Sequence, residues 1–135
     1  MMDTMAVFND IMTNATDLSL ATVTEDGHPD VRIVHFTYLP ESHQILFITG
    51  EKTEKVVELK AHPQVAVTTQ AVKGTDAVRI VAATANPVEN TAELRATYTA
   101  KFPDAAKMIE NAAMYVIDFT SVTVTAGFKT EVVTF

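Results

Sequence analysis

The chain has 135 residues, 47% of them hydrophobic, a net charge of −7 and no cysteine. This is one domain, residues 1–135, with a real core; disorder, disulfides, thiolate catalysis and Cys-ligated metals are excluded. The acidic balance argues against a nucleic-acid surface, which rests on Lys and Arg.

No apolar run approaches the roughly 18–20 residues that span a bilayer, and the opening Met-Met-Asp-Thr-Met places an acid where a signal peptide carries bases. A cytoplasmic chain with no membrane partner is expected. Residues 1–16 hold an N-terminal helix, from about residue 3, because Met5, Phe8, Met12 and Ala15 recur at helical spacing and Asp3 or Thr4 can cap its start. Leu18–Thr24 alternates as a strand. Glu25-Asp26-Gly27-His28 is a hairpin turn. Asp30–Leu39 follows as one long strand, with Arg32, Val34, Phe36 and Tyr38 on one face and Val31, Ile33, His35 and Thr37 on the other. Pro40–His43 turns the chain into strand Gln44–Thr49, so the first three strands read as an antiparallel meander.

Thr49-Gly50 breaks that strand, and Val56, Val57 and Leu59 mark a short helix that Pro63 ends. Strands follow at Gln64–Gln70 and Ala77–Val88. Asn90 through Glu93 resembles a capping box opening helix 91–101, and Pro103 starts a second short helix to about Glu110. Ala113–Phe119 and Ser121–Ala126 return to strand, and Glu131–Phe135 is a last short strand or tail. The fold class is mainly β with short helices (α+β): a six- to seven-stranded antiparallel sheet that closes, or nearly closes, into a small barrel and so removes exposed edges. An open α+β sheet is the alternative.

The turn after Gln44–Thr49 carries the chemistry. Thr49, Lys52, Thr53 and Lys55 lie where a helix starts, with free N–H groups and the positive end of its dipole. Hydroxyls, ammonium groups and a helix N-terminus suit a phosphate or another anion. Of ten Lys and Arg, Lys52, Lys55 and Lys60 lie within nine positions, which favours a local anion site over a broad basic face. The plainer alternative is an amphipathic helix whose lysines are solvated and paired with Glu51, Glu54 and Glu58. Neither a Walker pattern nor GxGxxG is present. The four histidines lack metal-ligand spacing and the serines lack a nucleophile elbow, so no metal site and no hydrolase triad are expected.

The order of segments Leu20–Pro29, Val31–Phe36, Leu46–Lys55, His62–Val67, Val78–Asn90 and Lys101–Pro103 resembles the FMN-binding split barrels, the pyridoxamine 5′-phosphate oxidase-like proteins, over about residues 15–135. The resemblance implies a split β-barrel and a homodimer with FMN at the subunit interface, acting as an FMN-dependent oxidoreductase on a small-molecule substrate. It implies that Arg32 reaches the phosphate and that Ile33, Val34 and His35 lie along the flavin ring. Ile48 and Thr49 match the family's strand-end contact, Lys52 falls in the same turn, and Thr53 and Lys55 match its hydroxyl and ammonium phosphate ligands. Three features depart from the pattern. Glu54 stands where an arginine is common, Ala77 where a glutamine often contacts the ring, and the basic C-terminal segment of true pyridoxamine phosphate oxidases is not seen. Vitamin B6 oxidation is therefore not expected. The alternatives are a non-enzymatic flavin-sequestering dimer, or heme or a deazaflavin on the same barrel.

Overall fold

In the computed structural model, residues 2–71 and 73–135 are described. Helix α1 (Thr4–Asn14) starts at Asp3, whose carboxylate accepts from the Ala6 N–H at 3.1 Å. The strands are β1 (Asp17–Val23), β2 (Pro29–His35), β3 (Thr37–Leu39), β4 (Gln44–Thr49), β5 (Gln64–Thr69), β6 (Ala77–Val88), β7 (Ala113–Phe119), β8 (Ser121–Ala126) and β9 (Lys129–Thr134). Helix α2 (Glu54–Ala61) lies between β4 and β5, and α3 (Ala92–Lys101) follows β6.

Among the described residues nine strands join one antiparallel sheet, ordered β2-β1-β5-β6-β7-β4-β3, with β8 on β6 and β9 on β8. The sheet curls into a half-barrel with three short helices, the split-barrel α+β class expected from the sequence. The strand count exceeds the expected six to seven for two reasons. The tail pairs with β8, and the long strand Asp30–Leu39 breaks at Phe36.

That break changes the topology. The first three strands are not a meander: among the described residues β2 pairs with β1 alone, and β3 with β4 alone. These two strands are the opposite ends of the sheet path, yet Phe36 alone separates them. Adjacent Cα atoms are about 3.8 Å apart, so the two ends must meet there and the sheet has to curl. Phe36 is fully buried at this joint, and its N–H donates to the Thr16 carbonyl at 3.0 Å. The twelve-residue β6 opens the other side, pairing β8 over Ala77–Arg79 and β7 over Ala83–Val88.

Alternation sorts two cores. Leu18, Leu20, Phe36, Ile45, Phe47, Ile80 and Ile117 fill the barrel, sealed by Phe8 and Met12 of α1. Leu46, Met114 and Val116 point the other way and pack under Tyr98 of α3 and Ile109. Strand β4 is thus buried on both faces, which is why it reads as an unbroken apolar run. The N-cap of α3 is Thr91, bonded to the Leu94 N–H at 3.2 Å, one residue later than the expected Asn90. Asn90 instead donates to the Ile109 and Ala112 carbonyls at 2.8 and 2.9 Å. The expected helix after Pro103 is two 3-10 turns, Pro103–Lys107 and Ile109–Asn111. Among the described residues no helix is long and apolar enough to cross a membrane.

Candidate functional site

The joint at Phe36 brings the end of β2 beside α3 and the start of α2, and a cavity of about 580 Å³ opens between them. Ile33, Val34, His35, Ile48 and Lys55 line it, from three segments that the sequence keeps apart. The opposite wall comes from Tyr98, Lys101, Phe102, Asp104, Ala105 and Met108. Its walls are mostly apolar, with ammonium groups from Lys55 and Lys101, which suits a planar ligand carrying negative charge.

One end of the cavity leads to the turn after β4. Lys55 Nζ donates to Thr49 Oγ1 at 2.7 Å, and Thr49 and Thr53 hydroxyls lie 3.1 Å apart. Thr53 is the N-cap of α2 by backbone, but its hydroxyl donates to the Gly50 carbonyl at 3.2 Å instead of capping the helix. The Val56 N–H donates to the Thr53 carbonyl at 3.1 Å, so among the described residues the Glu54 and Lys55 N–H groups are the ones that face a ligand unpaired. Burial lowers the Lys55 pKa, and the Arg32 charge nearby lowers it further. An anion there would relieve both effects.

Arg32 is bound differently from expectation. Its guanidinium donates to Asp30 at 2.7 Å, to buried Glu58 at 2.8 Å and to Thr22 Oγ1 at 2.9 Å. Thr22 in turn donates to Glu58 at 2.5 Å. Three of the five guanidinium donors are used within the chain, leaving two. The carboxyl of Asp30 is held below the usual carboxylate range, first by the Glu58 carboxyl, then by the Val31 N–H and Arg32. Glu54 turns toward these acids: one oxygen each from Asp30, Glu54 and Glu58 lie within 4.8 Å of one another. The plain-helix alternative, with Glu58 solvated and paired to a lysine, fails on this point.

Of the nine candidate site residues, five line the cavity, Thr49 and Thr53 sit at its anion-binding end, and Arg32 stands behind Lys55. Lys52 is exposed on the turn. His35 stacks on Phe102, centroids 5.1 Å apart, and its Nδ1 bonds to Asp17. Phe128, in the turn before β9, and Lys129, the first residue of β9, are exposed and do not line the cavity. Sequence reading missed the α3 side of the cavity. Tyr98 is buried, and its phenol is pushed up to about 12 by burial and by the Asp17 charge. Lys101 donates to the Ala15 carbonyl at 2.5 Å and lies 4.5 Å from the Phe36 ring centroid. The signal for both was available, since positions three apart share one helix face.

The family model described as pyridoxamine 5′-phosphate oxidase matches residues 7–126. The chain belongs to this family. The match spans every element that lines the cavity. Solved structures of the same fold include General Stress Protein 26 from Bacillus anthracis, at 15% identity, TM-score 0.80, covering 99% of this chain and 100% of that one. A heme binding protein from Mycobacterium smegmatis aligns at 17% identity and TM-score 0.76, over 96% of this chain but 57% of its own length. HutZ, the heme storage protein from Vibrio cholerae, aligns at 17% identity and TM-score 0.69, over 91% and 95%. No curated protein sequence matches the chain. Solved structures of this fold thus carry names that speak of stress and of heme.

Proposed function

We propose that the chain binds FMN and works as a flavin-dependent oxidoreductase on a small molecule, as a homodimer in the cytoplasm. The observation that carries this reading is the convergence of Ile33, Val34, His35, Ile48 and Lys55 on one cavity that ends at two hydroxyls, an ammonium group and a helix N-terminus. The residues fit the group. The apolar walls suit an isoalloxazine ring, and Lys55, Thr49 and Thr53 offer charge-assisted and neutral donors for its phosphate. When bound, the flavin supplies the electron chemistry. The chain's own residues bind, orient and dry the site: Ile33 and Ile48 exclude water, Phe102 braces His35, and Asp17 fixes the His35 tautomer through Nδ1.

The dimer is supported by an apolar outer face. Val31, Ile33 and Val81 are 64%, 63% and 64% exposed. Ala21 pairs both Val31 and Ala66, so small side chains flatten the surface between them. Such a face asks for a partner. Ile33 belongs to both the face and the cavity wall, so a second copy seated there would close the cavity at the subunit interface.

The test is a spectrum of the purified protein, then titration with FMN. A bound flavin spectrum that NADH or NADPH bleaches without oxygen, and that an added acceptor restores, supports an oxidoreductase. Bound flavin that no reductant turns over selects the sequestering dimer. Heme is the second reading, favoured by His35, whose ring reaches the cavity and is 63% exposed, and by the names of two relatives. A Soret band in place of flavin absorbance would select it; a deazaflavin would be identified by mass after extraction.

A further inference from the structure

Glu58 is an unusual residue to find inside α2. It sits on a helix among lysines, where a glutamate is ordinarily solvated. Here it is 6% exposed and makes no pair with any of those lysines among the described residues. It grips Arg32 at 2.8 Å and Thr22 at 2.5 Å, while Asp30 holds the same guanidinium nitrogen at 2.7 Å. One positive group therefore meets two carboxylates, and the cluster carries a formal charge of −1 (one cation less two anions). Lys55 brings the total at the anion cradle back to zero, before Glu54 is counted.

We infer that Glu58, with Asp30, is a specificity-determining pair: it fixes Arg32 in place and cancels its charge, so that the cradle distinguishes only weakly between a phosphorylated flavin and the same ring without phosphate. This rests on the flavin reading of the cavity and adds to it the charge of the ligand accepted. The physical reason is direct. A phosphate monoester carries close to two negative charges. An arginine free of counter-charges would favour it over a neutral ligand through both Coulomb attraction and bidentate bonding. An arginine already tied to two carboxylates offers two remaining donors and no net positive charge. The ring-binding walls are untouched by this cancellation, so the flavin is held mainly by its ring and exchanges with solution.

The measurement is titration of ligand-free protein with FMN and with riboflavin, followed by the variant Glu58→Gln, which keeps an acceptor for Thr22 and Arg32 but removes the charge. The wild type is expected to prefer FMN by no more than about tenfold, and Glu58→Gln to widen that preference about tenfold, with a steeper loss on adding salt. Riboflavin affinity should stay constant. Asp30→Asn, at a half-exposed position, should move the preference the same way and decides the matter alone should Glu58→Gln not fold. A preference that stays constant or shrinks in the folded variants overturns the proposal. Two arms separate it from the flavin reading. Wild-type protein that takes up neither flavin refutes that reading, while titration with inorganic pyrophosphate still tests the charge pair, which requires tighter binding in the variants. In ligand-free protein the Arg32 Nε–H resonance should be sharp in wild type and in Glu58→Gln, and broadened in Glu58→Ala, where the grip is gone; an unchanged signal in Glu58→Ala removes the positioning role.

Discussion

Lys55→Ala gives the most direct test of the anion cradle. The Lys55 ammonium donates to Thr49 Oγ1 at 2.7 Å and shares the cavity wall with Ile48. A hydrogen bond from a charged group to phosphate contributes about 1.5–3 kcal/mol, which is roughly a 10- to 150-fold change in Kd. Half-exposure puts the expected effect toward the lower end, about tenfold. Riboflavin, which has the ring and no phosphate, should bind the variant as it binds wild type. Titration of both ligands by flavin fluorescence quenching measures the two affinities on one sample. The pH dependence adds a sign. Burial and Arg32 lower the Lys55 pKa, so its charge is lost at a pH below the usual 10.5. FMN affinity should therefore fall with rising alkalinity earlier than an exposed lysine would allow, and Lys55→Ala should abolish that fall. Unchanged FMN affinity in Lys55→Ala, or an equal loss for FMN and riboflavin, would refute the assignment of Lys55 to the phosphate.

Val31→Glu places a charge on the apolar outer face and should convert a dimer to monomers, seen as a halved mass in light scattering, with flavin affinity lost in parallel. Phe36→Ala empties a fully buried site at the joint of the two sheet ends and should cost about 3–5 kcal/mol in urea unfolding; a loss under 1 kcal/mol would show that the joint does not hold the barrel. Tyr98 has its folded pKa raised to about 12 from 10.0. Its stabilisation is present below pH 10 and is lost as pH climbs toward about 12, so Tyr98→Phe should flatten the alkaline decline in melting temperature.

Much of this molecule was legible in its sequence because one rule covered each part. Pro63 ends α2 and His62 caps it, its N–H bonded to the Glu58 carbonyl at 2.8 Å. The alternation of β8 and the double-sided apolar run of β4 also follow from burial on one face or on two. The break at Phe36 was hidden because a two-residue period runs through it unaltered: Val34, Phe36 and Tyr38 all pack inward, although they belong to opposite ends of the sheet. Periodicity reports which face a side chain takes and says nothing about which neighbour the backbone finds. Glu58 was misread for a related reason. Its environment is set by Arg32, 26 positions earlier, and no local pattern encodes that pairing. Arg79, on the long strand β6, has no ion partner among the described residues and stays exposed.

The single-residue seam between β2 and β3 has a mechanical consequence for the cavity. Ile33, Val34 and His35 are the last links of chain before that seam, and the Lys101 ammonium leans on the very ring that fills it. Wall and hinge are thus one piece. A substitution that slackens the closure should widen the ligand's berth before any strand melts, and a ligand wedged against that wall should stiffen the whole rim.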